Sequence, residues 1–293
     1  MYKEVALDPS LITDIQYYNL IKQQFGFEKG RYISADLNKW RSEAMNYVKG
    51  SDLKTIEQQS IKNFLNKMMK EKKLLVHDKK ILLTEDRKKI NSSDWVDWFN
   101  QQQSIRKFSC CISNKVKNGI DINDINDNCK QWYIPPSTSI ERKSDKIIES
   151  LYPLLQLSSD VTLIDPYFRL VNNNILSKLI ATVNKLNVKF FRVATAMETA
   201  SIESVFNKNY RSMIGENLKF EWIKAPEKYF HDRYLITNVG AIRSGQGFSE
   251  STEKGIHSDF ANINIISYEE ADRTLCSLQD LLNRKIALIQ LSA

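Results

Sequence analysis

Apolar residues recur at helical spacing through the first hundred positions, and the pattern turns into a strand–helix alternation beyond Pro135-Pro136. Asp8-Pro9 predicts the first helix start, a capping side chain followed by proline at the first helical position. Leu11, Ile12, Ile15, Tyr18 and Leu20 carry that helix to Gly26. A second helix is expected from Asp36 through Trp40, Met45 and Val48 to Gly50, and a third from Ser51, with Leu53, Ile56, Phe64, Leu65 and Met68 on one face. Leu74-Leu75-Val76, a polar turn at 77–80 and Ile81-Leu82-Leu83 read as a hairpin. Trp95, Trp98 and Phe99 follow Ser93-Asp94 at helical spacing and read as core, and 108–112 reads as a strand. The acidic run 121–127 lacks the ligand pattern and glycine of a calcium loop and reads as a surface loop.

Beyond Pro136, Thr138 and Glu141 have capping-box spacing and predict a helix through Ile147, Ile148, Leu151 and Leu154. Strands are expected at 161–164, 188–194, 218–223, 231–237, 239–243 and 260–267, with helices at 175–186, 202–214 and 269–288. This alternation defines an α/β fold class, a mixed sheet flanked by helices. A mainly helical N-terminal domain with a basic helix-hairpin, residues 1–100, precedes an α/β domain over 101–293.

Composition changes this picture little. With 42% hydrophobic and 26% charged residues the chain belongs to the globular class. No apolar run approaches the roughly 20 residues that span a bilayer, so no membrane span is expected. Met1-Tyr2-Lys3-Glu4 lacks a secretory pattern, which makes a cytoplasmic location the default. Cys110, Cys111, Cys129 and Cys276 form no C-x-x-C pair; buried or half-buried free thiols are expected, with no metal site and no cofactor. A net charge of +7 permits nucleic acid as a partner, and the lysine-rich stretch from Lys62 to Lys89 is a candidate contact.

Candidate chemistry lies at the strand ends, where open α/β sheets hold their ligands. Asp165, Tyr167 and Glu198 follow predicted strands and are expected at the site rim. Of the three histidines, His77, His231 and His257, only His231 has an arginine two residues on, so His231 and Arg233 are expected to point to one side of a strand. A guanidinium beside an imidazole suits a phosphate. Arg243, Ser244 and the turn Gly245-Gln246-Gly247-Phe248-Ser249-Glu250 would add donors around an anion.

The segment Phe230-His231-Asp232-Arg233-Tyr234-Leu235-Ile236-Thr237-Asn238, with Gly240 and the Gly245–Ser249 turn, resembles the signature region of the phospholipase D superfamily. That motif reads H-x-K-x4-D, followed by a Gly/Ser/Asn-containing turn and an acidic residue. The likeness is to divergent bacterial members with an HDR motif. It extends to the phospholipase D-like domain that follows a microtubule-interacting-and-trafficking domain in a eukaryotic protein. It spans roughly 145–290, and 163–168 is similar to the first strand of those relatives.

The resemblance implies a phospholipase D-like sheet in which His231 attacks a phosphodiester and Arg233 stabilises the equatorial oxygens. Asn238, Ser249, Glu250 and Asp259 would fill the remaining polar positions. Arginine stands where the family has lysine, and Asn238 where it has aspartate. With one motif copy, catalysis implies a homodimer. Two functions follow as expectations. One is a dimeric, metal-independent nuclease of a bacterial phage-defence or mobile-element system, acting on DNA or RNA with partner proteins of that system. The other is an inactive module that binds a phosphate-bearing ligand or a partner protein.

Overall fold

The computed structural model describes residues 1–71, 82–83, 87, 90–251 and 259–293. The chain divides into two compact units, Tyr2–Ile134 and Pro135–Ala293. The boundary expected near residue 100 therefore falls at the Pro135-Pro136 pair instead, where the periodicity itself changes.

Among its described residues the first unit is mainly helical, as expected, but it also holds a parallel sheet. Strands β1 (Lys3–Leu7), β2 (Arg31–Ser34), β3 (Leu82–Leu83) and β4 (Cys110–Ile112) lie in the order β3-β2-β1-β4, with every pairing parallel. Helices α1 (Ile15–Gln24), α2 (Leu37–Lys49), α3 (Thr55–Glu71), α4 (Trp95–Ile105) and α5 (Ile122–Asn126) complete it. β1 and β2 escaped the sequence reading because they are short and buried, so they show no polar–apolar alternation. Glu4 in β1 is 2% exposed, yet it is charge-compensated by Arg87 and Arg106 at 2.6 and 2.7 Å.

Asp8-Pro9 does start helical structure, but only one 3-10 turn; Asp14 then caps α1 through the Gln16 amide. The run at 121–127 is a short helix, not a loop, because Asp121 and Asp124 close a reciprocal capping box. Trp95, Trp98 and Phe99 are core residues as expected, and Trp95 stacks on Phe99. Cys110 and Cys111 are free and buried, which pushes both thiols up to about 12. Most of the predicted hairpin, including His77, lies outside the described residues. Leu82–Leu83 pairs with β2 in parallel.

The second unit is α/β with a mixed eight-stranded sheet. Its strands are β5 (Thr138–Glu141), β6 (Asp160–Ile164), β7 (Phe190–Thr195), β8 (Lys219–Lys224), β9 (Arg233–Thr237), β10 (Ala241–Ser244), β11 (Phe260–Ile265) and β12 (Leu288–Ser292). They lie in the order β12-β8-β7-β6-β9-β10-β11-β5. β6, β7 and β8 are parallel, while β9 runs antiparallel to β6, and β10, β11 and β5 continue antiparallel. Helices α6 (Ser144–Leu155), α7 (Asn174–Lys185), α8 (Ile202–Asn209) and α9 (Tyr268–Asn283) complete the unit.

Three expectations need correction here. Thr138 and Glu141 are strand residues paired with β11, and the helix they were expected to open begins at Ser144. The final helix stops at Asn283, and the chain returns as β12 beside β8. The helix expected over 202–214 ends at Asn209 and gives way to a 3-10 turn at Arg211–Met213. Among the described residues, no helix is long and apolar enough to cross a membrane.

Candidate functional site

β6 is where the sheet changes direction: β7 leads away on one side in parallel, and β9 flanks the other in antiparallel. The carboxyl end of β6 therefore meets the amino end of β9 and the carboxyl end of β10. Loops diverge at such a junction and leave a crevice. A hollow of about 630 Å³ opens there, with Arg142, Asp165, Tyr167, Arg169, Arg233 and Glu250 among its lining residues.

Its floor is Asp165, 1% exposed at the end of β6. One carboxylate oxygen accepts the Tyr167 amide at 3.0 Å, an Asx-type turn that Pro166 favours by ending the strand. The other accepts the Phe248 amide at 2.9 Å and so latches the 245–249 turn onto β6. Burial raises the Asp165 pKa, opposed by those two amides and by the charges of Arg233 and Arg142. Gly247 belongs in this turn for two reasons. Its φ is +80°, and an added Cβ would stand 2.6 Å from the Asp165 carboxylate.

Three arginines reach the hollow from three connections. Arg233 opens β9; its Nη1 donates to Gly245 O at 3.4 Å, its guanidinium lies 5.1 Å from the Tyr167 ring centre, and its Nε is buried without a partner among the described residues. Arg142 links β5 to α6, donating from Nε to Ser249 O at 3.0 Å and from Nη2 to Glu250 O at 3.3 Å. Arg169 sits on the loop after β6, exposed, with no guanidinium partner among the described residues. That loop is fixed on both sides. Thr195 of β7 donates to Phe168 O at 2.9 Å, and Asn173 donates to Arg169 O at 2.7 Å while capping α7 through Leu176 N.

The acidic groups of the hollow are already committed. Asp165 serves two backbone amides, and the Glu250 carboxylate accepts from Ser144 N at 3.1 Å and Asn174 Nδ2 at 3.3 Å. Burial lowers the Arg142 pKa, with Asp165 opposing and the like charge of Arg233 reinforcing. Guanidinium groups stay charged regardless. An entering anion would therefore meet net positive potential and relieve the repulsion between Arg142 and Arg233.

The expected site is redistributed by these neighbours. Arg233, Asp165, Tyr167, Ser249 and Glu250 line the hollow. His231 does not line it; β9 begins only at Arg233, and His231 stands before the strand, exposed and without a hydrogen bond among the described residues. Its expected alternation with Arg233 along one strand is thus not realised. Arg243 is turned to the other face: it lies opposite Tyr234 in the ladder and pairs with Glu270 at 3.3 Å and Asp232 at 4.0 Å.

Ser244 lies opposite Arg233 but is 1% exposed, and its hydroxyl is spent on Gly247 O at 2.7 Å. Asn238 caps the start of β6, accepting from Ser159 N at 2.9 Å, at the end of β9 away from Arg233. Glu198 is paired with Lys224 and is not part of the lining. Asp259 is exposed, and its carbonyl accepts the Arg142 amide at 2.8 Å. His257 lies outside the described residues.

Sequence reading missed Arg142, Arg169, Asn172 and Asn173 as lining residues, whereas Gln246 belongs to the turn it had named. Only Arg169, four residues beyond Asp165 on the same loop, carried a usable signal. Among the described residues, no cluster of three or more His, Cys, Asp or Glu side chains is arranged to hold a metal ion.

No family model matches the chain. No curated protein matches it either. Among solved structures, the chain is similar to TrmBL2, an archaeal chromatin protein whose structure is described as showing a novel mode of DNA binding. The identity is 9% and the TM-score 0.32, over 94% of this chain and 81% of that one. That degree of likeness carries no functional argument.

Proposed function

We propose that the second unit is a phospholipase D-like module that binds a phosphate-bearing ligand at the Arg142–Arg169–Arg233 hollow. One observation carries this reading: three guanidinium groups border a single open space while its two carboxylates are held by amide donors. Guanidinium forks match phosphate oxygens in charge and geometry. The test is calorimetric titration of the full chain with inorganic phosphate. Saturable, salt-sensitive binding that the Arg169→Ala/Arg233→Ala double variant loses supports the module; identical heats for wild type and variant dismiss it.

A second reading is phosphodiester cleavage by a dimeric, metal-independent nuclease of a defence or mobile-element system. It draws on His231, exposed and two residues from Arg233. A lone histidine motif needs a second histidine to protonate the leaving alcohol, hence a second copy of the chain. Turnover of a bis-aryl phosphodiester or a nucleic acid in EDTA, abolished by His231→Ala, would favour this reading. No turnover by wild type leaves the binding module as the better account.

A further inference from the structure

We infer that the ligand of the arginine hollow is a nucleotide, either free or at the end of a nucleic-acid strand, with its base stacked on Tyr167. The inference rests on the anion-site reading above and adds what the same lining offers beyond charge. First, size: about 630 Å³ falls within the range of sites that enclose an organic ligand, well beyond the needs of a lone inorganic ion.

Second, the wall holds a ring. Tyr167 borders the hollow with 47% of its surface exposed, and Val171 beside it is 44% exposed. The Tyr167 hydroxyl is tied to Glu227, and the Arg233 guanidinium packs over the ring at 5.1 Å from its centre. Anchored in this way, the aromatic plane has little freedom to lose when a flat group settles on it. A base stacked there would bring its phosphate within reach of Arg233, the residue that packs on the same ring. Arginine beside an aromatic face is a combination suited to a stacked base and its phosphate.

Third, Asn172 and Gln246 line the hollow as exposed primary amides with no hydrogen-bond partner among the described residues. Each carries a donor pair and an acceptor, the complement of a base edge. A ligand consisting of phosphate alone would use the amide donors but neither the ring nor the amide acceptors. A polyol phosphate would use the amides but has no flat face for Tyr167.

The experiment titrates the full chain with inorganic phosphate, a nucleoside monophosphate, inositol phosphate, and a short thymidine strand with and without a terminal phosphate. The nucleoside monophosphate or the phosphorylated strand is expected to bind at least about tenfold tighter than inorganic phosphate. Whichever of the two binds tighter identifies the source. Tyr167→Ala should remove that advantage by lowering nucleotide affinity far more than inorganic phosphate affinity, and Tyr167→Phe, which keeps the ring but not the tie to Glu227, should retain most of it.

Equal affinity for nucleotide and inorganic phosphate overturns the nucleotide assignment while the anion site stands. So does inositol phosphate binding as well as the nucleotide, or a Tyr167→Ala loss shared equally by inorganic phosphate. Failure of inorganic phosphate itself to bind overturns the anion site as well.

Discussion

The Asp165 carboxylate accepts the backbone amide of Phe248 at 2.9 Å, joining two segments 83 residues apart in the chain. The other oxygen of the same carboxylate holds the Tyr167 amide at 3.0 Å. One buried side chain thus fixes both the loop carrying Tyr167 and Arg169 and the turn whose Gly245 carbonyl receives Arg233. Its role is to position the arginines, and burial makes its own charge costly.

Replacing Asp165 with alanine leaves two amides without their acceptor. Each lost partner costs about 1–3 kcal/mol where the site stays dry. Asp165→Ala should lower the melting temperature of the second unit and weaken phosphate binding together. Asp165→Asn should recover only part of the loss, because its NH₂ group cannot accept from an amide. A variant as stable as wild type would show that the latch is dispensable.

Gly247→Ala tests the same junction from the other side. A β-carbon there would stand 2.6 Å from the Asp165 carboxylate, on a backbone with φ of +80°. Together these should destabilise the second unit by about 1–3 kcal/mol, read by denaturant unfolding and Trp222 fluorescence, with reduced anion affinity.

Single substitutions distinguish the residues that border the hollow from those that only neighbour it in sequence. Arg169→Ala should weaken phosphate binding by roughly tenfold or more, the scale of a charge-assisted hydrogen bond, without changing stability, since Arg169 is exposed. His231→Ala and Arg243→Ala should leave phosphate affinity within about twofold, a change of under half a kcal/mol. Titration calorimetry reads all three, and a large effect of Arg243→Ala would contradict its placement on the opposite face beside Glu270.

Stability of the first unit should depend on acid through Glu4. Burial alone would raise the pKa of this carboxyl, but hydrogen bonds from Arg87 and the charges of Arg87 and Arg106 outweigh it and hold it below the ordinary 4.5. A folded value below the unfolded one means the proton is bound more tightly by the unfolded chain. The contribution is therefore complete above about pH 4.5, the ordinary value, and fades as pH falls through the folded value. At neutral pH, Glu4→Gln should cost about 3–5 kcal/mol because it removes the carboxylate charge that two guanidinium groups share. The gap from wild type should close in acid, as followed by tryptophan fluorescence.

The sequence alone determined the strand–helix alternation of the second unit. Residues 161–164, 188–194 and 218–223 are strands and 175–186 is a helix to within a residue or two. Apolar runs bounded by Asp165-Pro166 and by the Asn173 cap are local signals that tertiary contacts left intact. The periodicity change at Pro135-Pro136 likewise marked the unit boundary. Local signals failed where short strands gain their stability from neighbours distant in the chain. β1 and β2 are too buried to alternate, and β5 and β12 are edge strands whose partners are β11 and β8.

For the site, the sequence pointed to the end of β6 and to the stretch around Arg233. Only the tertiary structure decided which side chains share the space. Sheet pairing sends Arg233 toward the hollow and Arg243 to the opposite face, because successive strand residues point to opposite sides. The start of β9 at Arg233 leaves His231 outside the strand. Arg142 arrives from the β5–α6 connection and is held at the hollow by hydrogen bonds to Ser249 O and Glu250 O, in the turn that follows β10. A convergence of charges from three separate connections leaves no trace in local spacing, since it exists only once the strands have paired.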